Sequence, residues 1–339
     1  MLRNKTTIVI ASFLFLILIF LFWIFFLPNQ FYAHEEKIVT IPKGISFRAT
    51  VDSLANAGII RSKWAFKIAG RLLGYTRDIK NGKYLFSPGS SNLQILKDLK
   101  EGTSRVIIIV TIPEGWRIEK IAQRYAHELG INEKRFIALC YDKDFIKSHD
   151  IDAPSLEGYL LPSTYSFYWQ TEEEYIIERM IDVFKHFYND TLIKRQQELG
   201  MTQLEILTLA SIIEAESGVD IERPIISGVY WNRLRRKMRL EADPTVQYAL
   251  GKEKRLLHRD LKINSPYNTY INYGLPPGPI NNPGKSSILA ALYPQQHGYL
   301  YFVATGTGGH YFAKSFQEHQ KNIRLYQRTR RELRKLSQR

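Results

Sequence analysis

The segment TQLEILTLASIIEAES, residues Thr202–Ser217, predicts an α-helix that is buried on most of its sides. Thr202 and Glu205 have the spacing of a capping box, so the helix should begin near Thr202, and Gly218 supplies a C-terminal stop. The residues from 206 to 213 leave almost no polar face. A helix that is apolar all round belongs in the interior of a domain.

Glu214 is the acidic residue at the end of this apolar stretch. At helical spacing it shares a face with Leu207, Ala210 and Ser211, so we expect its carboxyl group at the rim of an apolar environment and near the negative end of the helix dipole. Both surroundings favour the protonated form, which a general acid needs in order to donate a proton near neutral pH. Glu216 lies about 200° further round the helix and is expected to be solvated.

Two alternatives are open for these acidic residues. Glu214 could instead pair with Arg233, Arg235 or another base in a structural salt bridge, as buried carboxylates often do. Asp243 is the nearby acidic candidate for a second role in catalysis. The run Asp243-Pro244-Thr245 is equally typical of a plain turn with an Asx cap.

Two parts of the chain differ in their sequence pattern. Residues 37–150 alternate short apolar strands with helices, and residues 155–325 have longer helices, so the predicted fold class is α+β. Residues 40–44 (TIPKG) match residues 111–115 (TIPEG), and each run precedes a helix. We interpret them as one supersecondary unit used twice, with chance reuse of a strand–turn–helix signal as the alternative.

An apolar run extends from Ile8 to Leu27 with only Ser12 as a polar interruption. At about 1.5 Å per residue it spans roughly the 30 Å of a bilayer core, which predicts a single membrane span. A signal peptide is the alternative, but its apolar region is usually shorter, and residues 28–33 offer no pair of small residues for cleavage. Arg3 and Lys5 precede the run, so residues 1–7 should be cytoplasmic and the chain after the span extracytoplasmic.

The composition restricts the partners. The chain has 47 Lys and Arg against 33 Asp and Glu, and the resulting charge of +14 favours an anionic partner such as nucleic acid, lipid or cell-wall polymer. An extracytoplasmic domain should not meet nucleic acid. Cys140 is the single cysteine, and the eight histidines show no metal-binding spacing, so we expect neither a metal nor a cofactor. The basic tail, residues 326–339, should be solvated, with contact to anionic lipid or wall polymer as the alternative.

Further segments follow in order and, together with residues 209–216, resemble the endolytic murein transglycosylases of the MltG/YceG-like family. They are LEGYLLPSTY (156–165), VYWNRL (229–234), MRLEADPTVQY (238–248), SPYNTY (265–270), GLPPGPI (274–280), NPG (282–284), YLYFVA (299–304), HYF (310–312) and EH (318–319). The family commonly has Lys where Ala215 stands and Asp where Ser163 stands. Any charge that those two positions supply is missing here.

The resemblance implies that Glu214 is the catalytic glutamate, that residues 37–150 contain a LysM-type glycan-binding module, and that residues 155–325 form the catalytic domain. The implied reaction cleaves the bond between N-acetylmuramic acid and N-acetylglucosamine within peptidoglycan strands. Glu214 would protonate the leaving oxygen, and the sugar's own C6 hydroxyl would attack and leave a 1,6-anhydro end. The implied location is the cytoplasmic (inner) membrane. Cutting there would limit the elongation of nascent strands, and the implied partners are cell-wall synthases.

Two other functions are open. One is a non-catalytic wall-binding scaffold on the membrane. The other is a hydrolase that uses Glu214 together with Asp243 or Glu216.

The substrate-binding candidates lie within the matching segments and in an irregular stretch, residues 264–283, that is rich in Pro, Gly, Asn and Tyr. Ordered segments of this length are usually functional, and aromatic and amide side chains suit sugar hydroxyl and N-acetyl groups. Ordinary loop packing, or for the histidine a surface position, is the alternative. The candidates are Glu157, Ser211, Asp243, Thr245, Tyr248, Tyr267, Asn268, Thr269, Pro276, Asn282 and His310.

Overall fold

The structure, a computed structural model, describes residues 2–29, 36–252 and 255–336. It is a mixed α+β chain, as predicted. The described residues form three sheets of two strands each. The elements are α1 (Leu2–Phe26), β1 (Lys37–Ile41), α2 (Phe47–Asn56), α3 (Lys63–Leu72), β2 (Gly82–Phe86), α4 (Asn92–Glu101), β3 (Ile107–Thr111), α5 (Ile118–Leu129), α6 (Glu133–Tyr141), α7 (Lys143–Ser148), β4 (Thr164–Tyr168), α8 (Glu173–Phe187), α9 (Asp190–Leu199), α10 (Gln203–Glu216), α11 (Arg223–Arg235), α12 (Asp243–Ala249), α13 (Lys285–Leu292), β5 (Tyr301–Ala304), β6 (His310–Ala313) and α14 (Phe316–Leu336).

The chain forms two compact units. The first comprises residues 1–109, 127–131 and 166–172, and the second comprises residues 110–126, 132–165 and 173–339, each as far as they are described. In the first unit β1 pairs with β2 in antiparallel register, from Lys37 opposite Phe86 to Ile41 opposite Gly82. The apolar faces of α2, α3 and α4 complete one core with this pair. Serine side chains cap all three helices at their N-termini, so each helix starts where the sequence supplies an acceptor for its free N–H groups.

The predicted repeat has the same local geometry in both copies. β1 ends at Ile41 and β3 at Thr111, and a turn leads from each strand into the next helix. Gly44 and Gly115 both adopt φ = +74°, a left-handed conformation that a residue with a Cβ adopts only at a cost. The strand–turn–helix prediction is therefore confirmed at both places, and the glycine in each TIPxG run has a conformational cause.

In the second unit α10 is the buried helix that the sequence predicts. It begins after a complete capping box between Thr202 and Glu205 and ends at Glu216, with Ser217 as its C-cap. The residues from 206 to 213 are all buried, and α9, α11, α12 and α13 pack against the helix. The end of α10 is consequently fixed in place by several neighbouring helices.

Two regions in the C-terminal part of the chain differ in secondary structure. The described residues between 264 and 283 contain neither helix nor strand, as the sequence predicts, yet several of them are fully buried. The basic tail is helical: α14 runs to Leu336, its exposed arginines lie along a solvated helix, and residues 337–339 fall outside the described part of the chain.

Candidate active site

Glu214 lies in the last turn of α10, with 7% of its side chain exposed. Its Oε2 atom accepts a hydrogen bond from the Gly284 backbone N–H at 2.9 Å and is 2.9 Å from Nη1 of Arg223. Both contacts stabilise a negatively charged carboxylate. The structure therefore differs from the apolar surroundings expected from the helix alone, and the alternative of an ion pair is confirmed with Arg223, not with Arg233 or Arg235.

Arg223 is the first residue of α11 and is itself 5% exposed. Its Nε atom lies 2.9 Å from Asp220 Oδ1, its Nη2 atom lies 3.8 Å from Glu114 Oε2, and it also donates to the Ser287 hydroxyl. One guanidinium group is thus surrounded by three carboxyl groups, on Glu114, Glu214 and Asp220. One basic side chain therefore joins the end of α10 to the turn before α5.

Glu114 comes from the turn between β3 and α5 and packs against the Cα atom of Gly284. A Cβ atom added to Gly284 would lie 1.9 Å from Glu114 Oε1, so a residue with a side chain would displace this carboxyl group. Burial raises the pKa of Glu114, and the negative charge of Glu214 raises it further, while Arg223 acts in the opposite direction. Two carboxyl groups therefore converge on one glycine, one through its N–H and one through its Cα.

Glu214 and Glu114 line an open groove with a volume of about 580 Å³. This volume is within the range of small-ligand sites. Polar groups dominate the groove wall. The other lining residues are Gly115, Arg117, Ala215, Pro244, Gln247, Arg255, Ile280 and Asn281.

Asn282 and Glu157 form a buried network beside the groove. The Asn282 side chain accepts hydrogen bonds from the N–H groups of Gly158 and Leu160, at 2.8 and 3.1 Å, and donates to Trp116 O at 3.0 Å and to Glu157 Oε1 at 2.6 Å. Burial raises the pKa of Glu157 to about 8, and the charge of Glu119 contributes. These two candidates hold three chain segments together, and a contact of either one with substrate stays a prediction.

Five other candidates are buried, and four of them hold the irregular segment and the helices around it through hydrogen bonds. Asn268 donates to Leu261 O and Ile263 O at 3.0 and 2.8 Å, and the hydroxyl groups of Thr245 and Thr269 lie 2.9 Å apart. The Ser211 hydroxyl accepts the Ile280 N–H at 3.0 Å, which ties α10 to the groove wall. All of these side chains and Pro276 are buried. They support the wall from behind, and their role in binding stays a prediction.

Tyr248 and Tyr267 form a partly exposed aromatic pair, with ring centroids 4.7 Å apart. The guanidinium group of Arg117, which lines the groove, lies 4.7 Å from the centroid of the Tyr248 ring. The structure thus brings these two candidates together and joins them to the groove through Arg117.

A second cavity of about 400 Å³ lies on the Glu216 side of α10. The Glu216 carboxyl accepts a hydrogen bond from Tyr230 Oη at 3.0 Å, and burial raises its pKa to about 7. Glu216 is half-buried and not fully solvated as expected, because Tyr230 of α11 contacts its carboxyl group. Asp243 and His310 line this cavity and not the groove of Glu214.

Asp243 and His310 each have a partner in or beside the second cavity. Tyr270 Oη donates to Asp243 Oδ1 at 2.6 Å, and Ala242, not Asp243, is the N-cap of α12, so the predicted Asx cap is wrong. His310 Nδ1 lies 2.7 Å from Glu222 Oε2.

Sequence reasoning missed Arg223, Glu114 and Gly284 as parts of the site. Arg223 lies nine positions after Glu214, beyond the end of the helix, where no periodicity relates the two residues. Glu114 stands in one copy of the TIPxG repeat and in the other copy Lys43 takes its place, so the difference between the copies was the available signal. The groove, the buried ion pair and the second carboxyl group together define a class of site suited to acid–base chemistry.

The comparisons with known proteins assign the chain to a family. The model of the YceG-like family matches residues 39–325, and the chain belongs to that family. An endolytic murein transglycosylase of Bacillus subtilis (strain 168) is 36% identical over 85% of this chain and 84% of its own length. An endolytic murein transglycosylase of Streptococcus pneumoniae (strain R6) is 31% identical over 86% of this chain, which spans 59% of that longer protein.

A solved structure is similar as well. The crystal structure of a YceG-like protein from Listeria monocytogenes matches with a TM-score of 0.60 and 35% identity, over 85% of this chain and 99% of that one.

Proposed function

We propose that this chain is an endolytic murein transglycosylase that cleaves the bond between N-acetylmuramic acid and N-acetylglucosamine within glycan strands. The observation that carries the proposal is the position of Glu214 in an open polar groove, beside a second carboxyl group and a shared arginine. The names of the relatives support the same activity.

The reaction needs one group that first gives and then receives a proton. Protonated Glu214 donates its proton to the leaving oxygen as the bond from that oxygen to C1 breaks. The C6 hydroxyl of the N-acetylmuramic acid that carries this C1 then attacks C1, and the hydroxyl proton passes to the Glu214 carboxylate. The product carries a 1,6-anhydro ring, no water is consumed, and Glu214 ends the cycle protonated as it began.

Arg223 and Glu114 fit this double role. Arg223 and the Gly284 N–H hold the carboxylate form that must accept the proton. Burial and the charge of Glu214 raise the pKa of Glu114, so a second carboxyl group in the same groove can hold a proton. The site therefore combines contacts that hold the carboxylate form of Glu214 with a neighbouring carboxyl group that can carry a proton.

We also propose that the first unit contains a glycan-binding module of the LysM type and that α1 anchors the protein in the cytoplasmic membrane. The order strand–helix–helix–strand, with β1 and β2 paired, supports the module. Residues 7–26 are long and apolar enough to cross a membrane, although a signal sequence would pass the same test. Ile24 is fully buried in the core of the first unit, which favours retention because cleavage after the apolar run would remove it from that core.

Anchoring would restrict cutting to strands near the membrane, where cell-wall synthases are the proposed partners and cleavage would limit strand elongation. Reporter fusions after residue 40 test the orientation: activity outside the cytoplasm is expected, and activity confined to the cytoplasm contradicts it.

Digestion of purified glycan strands tests the reaction. We expect products with anhydro ends, which are lighter than hydrolysed ends by one water in a mass spectrum. Products with hydrolysed ends would instead identify a hydrolase. Release of no product, by a folded protein that still binds the strands, would identify a scaffold.

A further inference from the structure

The end of α1 is built into the first unit. Ile24 is fully buried, and its carbonyl oxygen accepts a hydrogen bond from Asn92 Nδ2 at 2.8 Å. Asn29 donates to Asn92 Oδ1 at 2.8 Å and accepts the Arg61 N–H at 2.8 Å. These contacts join the apolar helix to the starts of α4 and α3. The membrane anchor and this unit therefore cannot turn independently of each other.

The contacts between α1 and the start of α3 determine how deep α3 lies relative to the membrane. The apolar window of α1 is 20 residues long, residues 7–26, which is the length of a bilayer core. Phe20 lies six residues before the end of that window, or roughly 9 Å along the helix. The Trp64 ring of α3 lies 6.0 Å from the Phe20 ring and the residue is 57% exposed. Trp64 is consequently at the level of the outer part of the membrane.

The exposed face of α3 has the composition of an interfacial helix. Trp64, Lys67, Ile68 and Arg71 follow the spacing i, i+3, i+4 and i+7, so they share one face. Trp64 and Arg71 are exposed, whereas Lys67 and Ile68 are half-buried and Ile68 also packs against the core. Leu72 beside them is 61% exposed. The opposite face, with Ala65, Phe66 and Ala69, is buried in the core, and α3 contains no acidic residue. Aromatic and aliphatic side chains next to lysine and arginine are typical of helices that lie in a membrane surface.

We infer that this face of α3, formed by Trp64, Lys67, Ile68, Arg71 and Leu72, is a membrane-contact surface that binds anionic phospholipid headgroups. The apolar side chains enter the interface, and the two basic side chains reach the phosphates. The inference rests on the proposed membrane anchor. It adds that the first unit rests on the bilayer through two elements, α1 and α3, so the module has a fixed height and tilt at the membrane.

The test uses the full chain with Cys140→Ala, reconstituted in vesicles and labelled with an environment-sensitive fluorophore at single introduced cysteines. The positions are Leu72→Cys on the proposed surface, Leu16→Cys in the span, and Ile38→Cys as a matched control. Ile38 is an apolar residue of the same unit with 60% exposure, against 61% for Leu72. The vesicles contain phosphatidylglycerol and phosphatidylcholine, with a quencher near the headgroup of a fraction of the lipids.

We expect the label at position 72 to be quenched at least about threefold more than the label at position 38, because only the former enters the interface. Lys67→Glu with Arg71→Glu should lower the quenching at position 72 about twofold or more in these vesicles, and less in vesicles of phosphatidylcholine alone. Equal quenching at positions 72 and 38, or no effect of the charge reversals, overturns the inference.

The label at position 16 separates the two proposals. If it is quenched by a probe at the chain ends of the lipids while position 72 is not quenched by headgroup probes, the anchor holds and the α3 surface is wrong. If position 16 is not quenched, the anchor fails and the inference that depends on it fails too.

Discussion

The two glutamates at the end of α10 are two residues apart, yet they lie in opposite kinds of surroundings. Glu214 faces a groove and contacts Arg223 and a backbone N–H. Glu216 faces a second cavity and contacts the hydroxyl of Tyr230. A hydrogen bond from a charged donor is about twice as strong as one from a neutral hydroxyl, and burial raises the pKa of Glu216 to about 7. The helix places the two carboxyl groups, and the neighbouring elements decide what each one can do.

The two sides of α10 should differ most in their effect on catalytic rate, when Glu214 and Glu216 are replaced one at a time. Glu214→Gln should lower the rate of glycan cleavage about 10²- to 10⁴-fold, because the variant has no proton to donate. Glu216→Gln should stay within about tenfold of the parent, since this residue contacts no groove atom in the proposed reaction. Product release from purified strands is the measurement.

A loss of similar size in both variants would point instead to a hydrolase that uses both carboxyl groups. Full activity of Glu214→Gln would show that another residue is the acid, with Glu114 as the next candidate in the same groove.

Removing the arginine should destabilise the fold. Arg223→Met leaves the buried carboxylate of Glu214 without its cation, and breaking such a pair costs about 3–5 kcal/mol of unfolding free energy. Tyr230→Phe, on the Glu216 side, removes a hydrogen bond from a neutral donor and should cost about 1 kcal/mol. Urea unfolding followed by circular dichroism measures both changes.

The double variant Arg223→Met, Glu214→Gln is the control for this pair. It should recover part of the lost stability, because no unpaired charge remains. If Arg223→Met costs no more than Tyr230→Phe, the charged and the neutral side of α10 do not differ as proposed.

A third carboxyl group, that of Glu157, should make the stability of the protein depend on pH. The pKa of Glu157 is raised by burial to about 8, from an ordinary value of 4.5. Between these values the folded protein holds a proton that the unfolded chain releases, so the stability contributed by this group decreases as the pH rises from about 4.5 to about 8. Glu157→Gln cannot ionise and should exceed the parent in stability by about 4 kcal/mol at pH 8, against about 1 kcal/mol at pH 5.

Unfolding free energies of Glu157→Gln and the parent at both pH values check this. A difference that is independent of pH would show that Glu157 is ionised in the folded protein already at low pH.

The smallest effect is expected at the glycine between the two groove carboxyls. Gly284 has φ = −72° and ψ = 167°, which an alanine adopts without strain, so the cost of Gly284→Ala arises from contact with Glu114. The carboxyl group of Glu114 is the end of a flexible side chain and can move, so we expect a loss of only about 1 kcal/mol.

A double-variant cycle isolates that contact. In a Glu114→Ala background, Gly284→Ala should cost close to nothing. A cost that persists there would assign the effect to the backbone or to the Glu214 hydrogen bond.

Much of the fold could be predicted because its signals are local. The capping box, the apolar stretch of α10 and the strand–turn–helix order at the two TIPxG runs depend on residues close together in the chain, and all three are observed. The partial burial of Glu216 could not be predicted in this way, since it depends on Tyr230 of the next helix. The site was predicted in part: Glu214 lies in a groove, whereas Asp243 and His310 lie in the other cavity.

The sequence alone determined where α10 begins and ends, that two glutamates stand at its end, and that an apolar run of membrane length lies near the N-terminus. The tertiary structure decided that Arg223, Glu114 and Gly284 meet at one of those glutamates and that Trp64 meets the apolar helix. The physical reason is the range of the interactions. Helix formation depends on neighbours within a turn, whereas the charge of a carboxyl group depends on donors and cations that the fold brings from distant parts of the chain.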